Sequence, residues 1–359
     1  MVSRQVNVFD YINKRNILKD MSDDEFELFL PNFSEALYAV GFDNFVNKYN
    51  NGLKSMENDW KSLVKKKIDQ NNISSTSTVG LCIIRRCMPH IYEVQNYKGK
   101  SVKKAWNIKQ LEKAVRANRK SHSTPYASEI IRQLGFTSGT SKVTIYRPLL
   151  TKRIVEYFNA KNVLDVCVGW GGRMLGAVCV EGVSYTGIEP CSKTFNGLEQ
   201  MNKTLELPNV SLHNTIAENI LPTLEKKYDL ALTSPPYYNL EIYSDEKTQS
   251  HHYGSYKVWV EKFLKPVVHG VLDKLMDGGK SCWSVKNFKT DKKYNLYDDV
   301  VRLHKEKGWE KADEEFYVGN SVRPGLKEKR KVKWFFKDIV YEVPKTGQET
   351  TFVFYKVNK

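Results

Sequence analysis

The sequence predicts an α/β fold, an open and mainly parallel sheet with its ligand site at the strand ends, behind an appended, mainly helical N-terminal domain. Three stretches carry this expectation. Tyr228-Asp229-Leu230-Ala231-Leu232-Thr233 reads as a buried strand that stops at Ser234-Pro235-Pro236-Tyr237-Tyr238. Two consecutive prolines cannot continue a sheet ladder, because each lacks an N–H and has a fixed φ. Val163-Leu164-Asp165-Val166-Cys167-Val168 is an apolar run typical of a central parallel strand. Gly169-Trp170-Gly171-Gly172-Arg173 follows, a turn whose glycines let backbone approach a ligand closely. Ser184-Tyr185-Thr186-Gly187-Ile188 is the next strand, and it ends on Glu189. A carboxylate there can clamp both hydroxyls of a ribose.

The bulk composition limits the alternatives. A chain of 359 residues is long for one compact domain and suits a core domain with an addition. With 41% hydrophobic and 12% aromatic residues it can bury a core, which excludes a disordered chain. The net charge is +15, and residues 1–150 hold 24 basic against 14 acidic side chains, so the excess sits ahead of the sheet. A basic front is expected where a phosphate backbone is gripped, with solubility charge as the plainer alternative. The six cysteines form no Cys-x-x-Cys pair and have no histidines at zinc spacing, so reduced thiols and no metal are expected. His251-His252 without a third ligand does not change that. No apolar run is long enough to span a bilayer and no charged-then-apolar leader is present, which predicts a soluble, cytoplasmic protein.

Along the chain, Ser22 ahead of Asp23-Asp24-Glu25 marks a helix start, and Phe26, Phe29, Leu30 and Phe33 follow at helical spacing. Val79 to Ile84 is a compact apolar run expected as a strand. Tyr97 to Lys120 is strongly basic with Tyr97 and Trp106 interleaved; Lys113, Arg116, Arg119 and Lys120 are candidates for nucleic-acid contact, or the wet face of an amphipathic helix. Tyr256 to Lys274 reads as one long helix, Ser281 to Val285 as a fifth strand, and Glu315 to Val318 and Thr351 to Tyr355 as an antiparallel pair. The basic stretch Arg323 to Lys333, with Lys331, is either a second nucleic-acid contact or a solvated connection.

Ser-Pro-Pro-Tyr at a strand end resembles the catalytic motif of the S-adenosyl-L-methionine-dependent amino-methyltransferases of nucleic acid. The form beginning with Ser is associated with N4-cytosine, those beginning with Asp or Asn with N6-adenine. Asp165, Gly169 and Gly171 match the cofactor loop Asp-x-x-x-Gly-x-Gly of class I methyltransferases. They do not match the dinucleotide fingerprint, because Met174 stands where its third glycine would be. Thr144-Ile145-Tyr146-Arg147-Pro148 is similar to the accessory segment that closes over the methionine end of the cofactor. Leu240-Glu241-Ile242-Tyr243-Ser244 and Thr248-Gln249-Ser250 resemble elements of phage- and virus-type DNA amino-methyltransferases, and so does the Trp-Gly-Gly-Arg of residues 170–173. The resemblance covers roughly residues 140–359.

That resemblance implies a Rossmann-like seven-stranded sheet over residues 126–359, with residues 1–125 as the basic, mainly helical domain. It implies methyl transfer to an exocyclic amine of a base in DNA, N4-cytosine before N6-adenine, with RNA as the alternative substrate. A non-catalytic subunit with the cofactor fold is the alternative of a different class. Ser234, Pro235, Pro236 and Tyr237 would be catalytic; Tyr146, Pro148, Asp165, Gly169, Trp170, Gly171, Glu189, Ile216 and Ala217 would hold the cofactor. The family often carries an acid near the adenine where this chain has Ile216; backbone at Ile216 and Ala217, Asn214, or Glu218 would replace it.

Overall fold

A computed structural model describes residues 7–68, 77–140, 143–207, 209–317, 331–336, 339–344 and 350–357. Packing divides the chain into two compact units. One comprises Met1–Leu53, Pro89–Thr144 and Asn239–Ser244; the other comprises Lys54–Met88, Ile145–Tyr238 and Asp245–Lys359. The units interleave along the chain, where the sequence suggested a single cut near residue 125.

The second unit is built on a sheet of seven strands. They are β1 (Asn162–Asp165), β2 (Ser184–Ile188), β3 (Val210–His213), β4 (Tyr228–Thr233), β5 (Leu275–Val285), β6 (Trp309–Tyr317) and β7 (Thr350–Lys356). Their order across the sheet is β6-β7-β5-β4-β1-β2-β3. Pairings among β5, β4, β1, β2 and β3 are parallel, while β7 lies antiparallel between β5 and β6. This is the Rossmann-like order of class I methyltransferases. The chain winds outward from β1 to β3, then returns to β4 on the other side of β1, so the order reverses between β1 and β4. A reversal of this kind opens a crevice at the carboxyl ends of the strands, where ligands of such sheets bind.

The helix Gly172–Val178 follows β1 and packs on the helix Pro148–Tyr157. The approach is close because residues 172 and 176 have no side chain. A Cβ would lie 1.9 Å from the Tyr146 carbonyl oxygen at Gly172 and 2.1 Å from that of Pro148 at Gly176. The run Tyr256–Lys274 is helical throughout, but Val260–Leu264 forms a π turn, with Lys265 N–H donating to the Val260 carbonyl. Pro266 has no N–H to give to Lys262, and the extra residue in the turn absorbs that missing link.

Val79–Ile84, expected as a strand, is instead the start of the helix Leu81–Cys87. Leu81, Ile83, Ile84 and Cys87 are buried, and buried Asp59 accepts from Cys82 N–H at 3.0 Å. A short apolar run buried on all sides has no period that separates helix from strand. Trp106, read as one of the aromatics interleaved with charge, belongs to the core of the first unit against Phe42 and Phe45. Ser22 caps the helix Asp23–Val40 as expected, in a capping box with Glu25. Lys331 opens a strand, Lys331–Phe336, paired with Ile339–Pro344; residues 318–330, with the rest of the basic stretch from Arg323, lie outside the described residues.

Gly176→Ala tests the close approach. Thr151 Cβ would lie 2.5 Å from the new methyl as well, so no flexible end can give way. The expected cost is about 1–3 kcal/mol in urea unfolding, the usual range for an overpacked contact.

Candidate active site

Asp165 ends β1 with no solvent exposure, and its carboxylate collects donors from four directions. Arg173 Nε donates at 2.7 Å, Tyr185 hydroxyl at 2.7 Å, Thr233 hydroxyl at 2.8 Å and Cys167 N–H at 3.2 Å. Arg173 also donates to the carbonyls of Cys167 and Val168, and its guanidinium lies 5.2 Å above the Tyr146 ring. The result is a buried cation–anion pair with the glycine turn folded around it. Burial opposes the charge on Arg173, but the neighbouring Asp165 more than restores it and holds the guanidinium above its usual pKa. Sequence reasoning named Asp165 but missed Tyr185 and Thr233, which stand on the two strands flanking β1. Both are chemically ordinary strand residues, and only the pairing of β2 and β4 with β1 brings them to one carboxylate.

Gly169 and Gly171 both have positive φ, 58° and 83°. A Cβ on Gly169 would meet nothing closer than 4.0 Å, so that side of the turn is open. Trp170 between them is buried. Glu189, 8% exposed, holds the turn from β2: its carboxylate accepts from Gly169 N–H and Cys191 N–H, each at 2.9 Å. Burial pushes its pKa up to about 7, against the pull of those two N–H groups. Tyr146 and Pro148 form the segment pressed against the helix after the turn, and the Tyr146 hydroxyl is bonded to Thr351 at 2.7 Å.

The candidates after β3 differ in what they bond to. Ala217 is buried at the start of a short turn of helix, with Ile216 before it. Asn214 donates its amide to the Glu189 carbonyl at 2.9 Å. Glu218 accepts from the Tyr253 hydroxyl at 2.6 Å through one oxygen. Its other oxygen is buried and has no hydrogen-bond partner among the described residues. A buried, unmatched carboxylate oxygen is costly, and a donor on a bound ligand would satisfy it.

Ser234 to Tyr237 leave β4, the strand beside β1, at the same carboxyl edge as the glycine turn. Ser234 and Pro236 are half-buried; Pro235 and Tyr237 are buried. Tyr237 stacks on Phe288, with centroids 5.4 Å apart and rings inclined by 15°. Tyr238 has φ of 50°, a left-handed conformation unfavourable for a bulky side chain. Its carbonyl accepts from buried Ser250 at 2.6 Å, and its ring packs against Tyr256, Trp259 and Tyr294. The polar segment after Tyr238 is anchored as well. Glu241–Ile242 pair with Gln95–Asn96, and Glu246 accepts from Ser192 N–H at 3.1 Å.

The basic candidates of the other unit divide. Lys113 and Lys120 are exposed on the helix Ile108–Ser121. Arg116 pairs with Glu27 through both guanidinium nitrogens. Arg119 donates to the carbonyls of Leu18 and Met21, pairs with Asp23 at 2.9 Å and lies over the Phe26 ring. These two arginines tie helices of their own unit together. Among the described residues no group of three metal-ligating side chains occurs, and no helix is long and apolar enough to cross a membrane.

No protein-family model matches the sequence, and no curated protein matches it. Solved structures resemble parts of it. The crystal structure of NSun6 from Pyrococcus horikoshii, solved with SFG, matches at 18% identity and a TM-score of 0.40, over 63% of this chain and 55% of that one. A SAM-dependent O-methyltransferase from Thermotoga maritima matches at 11% and 0.37, over 61% and 69%. TrmN from Thermus thermophilus matches at 15% and 0.37, over 58% and 49%. At TM-scores this low, these likenesses add nothing to what the strand order already gives.

Arg173→Met tests the buried pair. It would leave the Asp165 charge without its cation, and urea unfolding should show a loss of about 3–5 kcal/mol.

Proposed function

We propose that this protein is an S-adenosyl-L-methionine-dependent methyltransferase acting on an exocyclic amino group of a base in DNA, N4-cytosine before N6-adenine. The observation that carries the reading is the hydrogen bond from Thr233 to Asp165. It joins the end of the strand before Ser-Pro-Pro-Tyr to the end of the strand before the glycine turn, at the point where the sheet order reverses.

The residues present fit the cofactor. The open side of Gly169 would leave room for it, the Glu189 carboxylate beside the Gly169 N–H would suit ribose hydroxyls, and the unmatched oxygen of Glu218 would suit an adenine amine. Asp165, fully enclosed, acts as a positioning residue for the turn rather than as a contact. When bound, S-adenosyl-L-methionine would supply an electrophilic methyl group to the amine, with the thioether as leaving group and the surplus amine proton lost to solvent. The chain's own residues prepare the amine. Ser234 hydroxyl and the Pro235 carbonyl accept its two N–H groups, drawing the nitrogen lone pair out of the ring. The Tyr237 ring would support the base, which must leave its stack to arrive there. Positioning of this kind supplies several kcal/mol of a transfer barrier. No cysteine lies in the motif, so attack through a covalent thiol adduct is not part of this reading.

Three measurements test it. Nucleosides from DNA treated with labelled cofactor should carry the label on N4 of cytosine by mass spectrometry; label on RNA alone favours the RNA alternative, and no label at all favours the non-catalytic one. Ser234→Ala should lower kcat on the order of a hundredfold with cofactor Kd unchanged by calorimetry. Glu189→Ala should weaken cofactor binding by on the order of 2 kcal/mol. Because the ribose clamp needs the ionised carboxylate and the pKa of Glu189 is raised to about 7, wild-type affinity should fall as pH drops through about 7. The alanine variant should show no such step; an identical pH profile in both removes the ribose assignment.

A further inference from the structure

We propose that the loop Tyr97–Lys100 grips the nucleic-acid strand, Tyr97 stacking on an unpaired base while Lys98 and Lys100 hold its flanking phosphates. The inference rests on the nucleic-acid reading above and names the surface that serves it. The sequence singled out the whole basic stretch Tyr97 to Lys120 and, within it, four cations on the helix Ile108–Ser121; two of those four, Arg116 and Arg119, are bound to Glu27, Asp23 and backbone carbonyls. The nearby Lys103 is likewise paired, with Asp43 at 2.9 Å and Glu93 at 3.1 Å. Lys98 and Lys100 are exposed and form no ion pair among the described residues. Next to Lys98 in the chain is Tyr97, 38% exposed, with the Lys98 ammonium 5.5 Å from its ring centroid.

The loop is built rather than loose. Asn96 is buried, and its side-chain oxygen accepts from the N–H groups of Lys98 and Lys100 at 3.0 and 3.1 Å. Its side-chain amide donates to the Gly139 carbonyl at 3.1 Å, and its own N–H donates to the Lys100 carbonyl at 2.9 Å. Lys104 closes the other side, donating to the Gln95 side chain at 2.8 Å and the Gly99 carbonyl at 3.3 Å. One buried asparagine thus orders the backbone that carries an aromatic ring and two ammonium groups, Lys98 beside that ring and Lys100 donating to the Ser138 carbonyl at 3.5 Å, neither held by an acid among the described residues, which lowers the ordering cost of binding. A ring with flanking cations suits a base with its phosphates, since every base has a face that stacks. The inner edge of the loop, Gln95–Asn96, pairs with Glu241–Ile242, and Glu241 follows Tyr238 by three residues in the chain. The element that would hold the strand is therefore paired with residues that follow the candidate catalytic loop in the sequence.

Fluorescence anisotropy with a labelled single-stranded DNA oligonucleotide, and with the same strand annealed to its complement, tests this on the full chain. Tyr97→Ala should raise Kd for the single strand at least about fivefold, the low end for one stacked base, while Tyr97→Phe stays close to wild type. Lys98→Ala with Lys100→Ala should flatten the dependence of log Kd on log salt by about 1.4, or 0.7 for each phosphate contact on a single strand. Lys113→Ala with Lys120→Ala should change neither quantity. Calorimetric binding of S-adenosyl-L-methionine should be the same in all variants, which confirms that each is folded. If wild-type protein binds DNA and both loop variants bind equally well, this inference is overturned and the methyltransferase reading stands. If wild-type protein binds the cofactor but neither oligonucleotide, both are overturned.

Discussion

The buried carboxylate of Asp165 is the constraint on which the candidate site depends. One residue at the end of β1 takes hydrogen bonds from the strand on each side, through Tyr185 and Thr233, and from the turn that follows it, through Cys167 and Arg173. A charge with no exposure survives only when its partners are arranged around it. Once they are, the carboxyl ends of β1, β2 and β4 cannot shift independently. Both loops proposed to meet the reactants inherit their positions from that junction, the glycine turn directly and Ser234 through its neighbour Thr233.

The catalytic loop carries a second layer of support. Tyr238 adopts a backbone conformation that a tyrosine alone would avoid. The Ser250 hydroxyl on its carbonyl and the cluster of Tyr256, Trp259 and Tyr294 around its ring hold it there. The π turn at Val260–Leu264 changes the phase of that helix. Tyr256 and Trp259 face the aromatic cluster, whereas Val267, Val268 and Val271 beyond the turn are fully buried. Local strain and its surrounding support at one loop is an arrangement common at functional sites, and here it falls on the residue next to the motif.

The sequence revealed the sheet well, because a parallel α/β sheet is written in local signals. Continuous apolar runs, glycine turns and an acid at a strand end each announce themselves within a few residues. Strand boundaries came within a residue or so for β2 and β4, and the closing antiparallel pair was found with its partner. Val79–Ile84 was misread because an apolar run without period fits either element, and the decision was made by contacts far away in sequence, such as Asp59 at the helix start. Arg116 and Arg119 show the complementary limit: a charge pattern gives no sign of whether an acid such as Glu27, on another helix, has already claimed the cation. The unmatched oxygen of Glu218 and the donors around Asp165 were also invisible, since they depend on which strands become neighbours.

A crystal structure of the protein with S-adenosylhomocysteine tests the account most directly. It predicts the ribose on Glu189, the adenine amine on Glu218, and the sulfur turned toward Ser234 across a cavity shared by the two loops. A sulfur directed away from Ser234, with the cofactor and the Ser-Pro-Pro-Tyr loop opening into separate cavities, would contradict it.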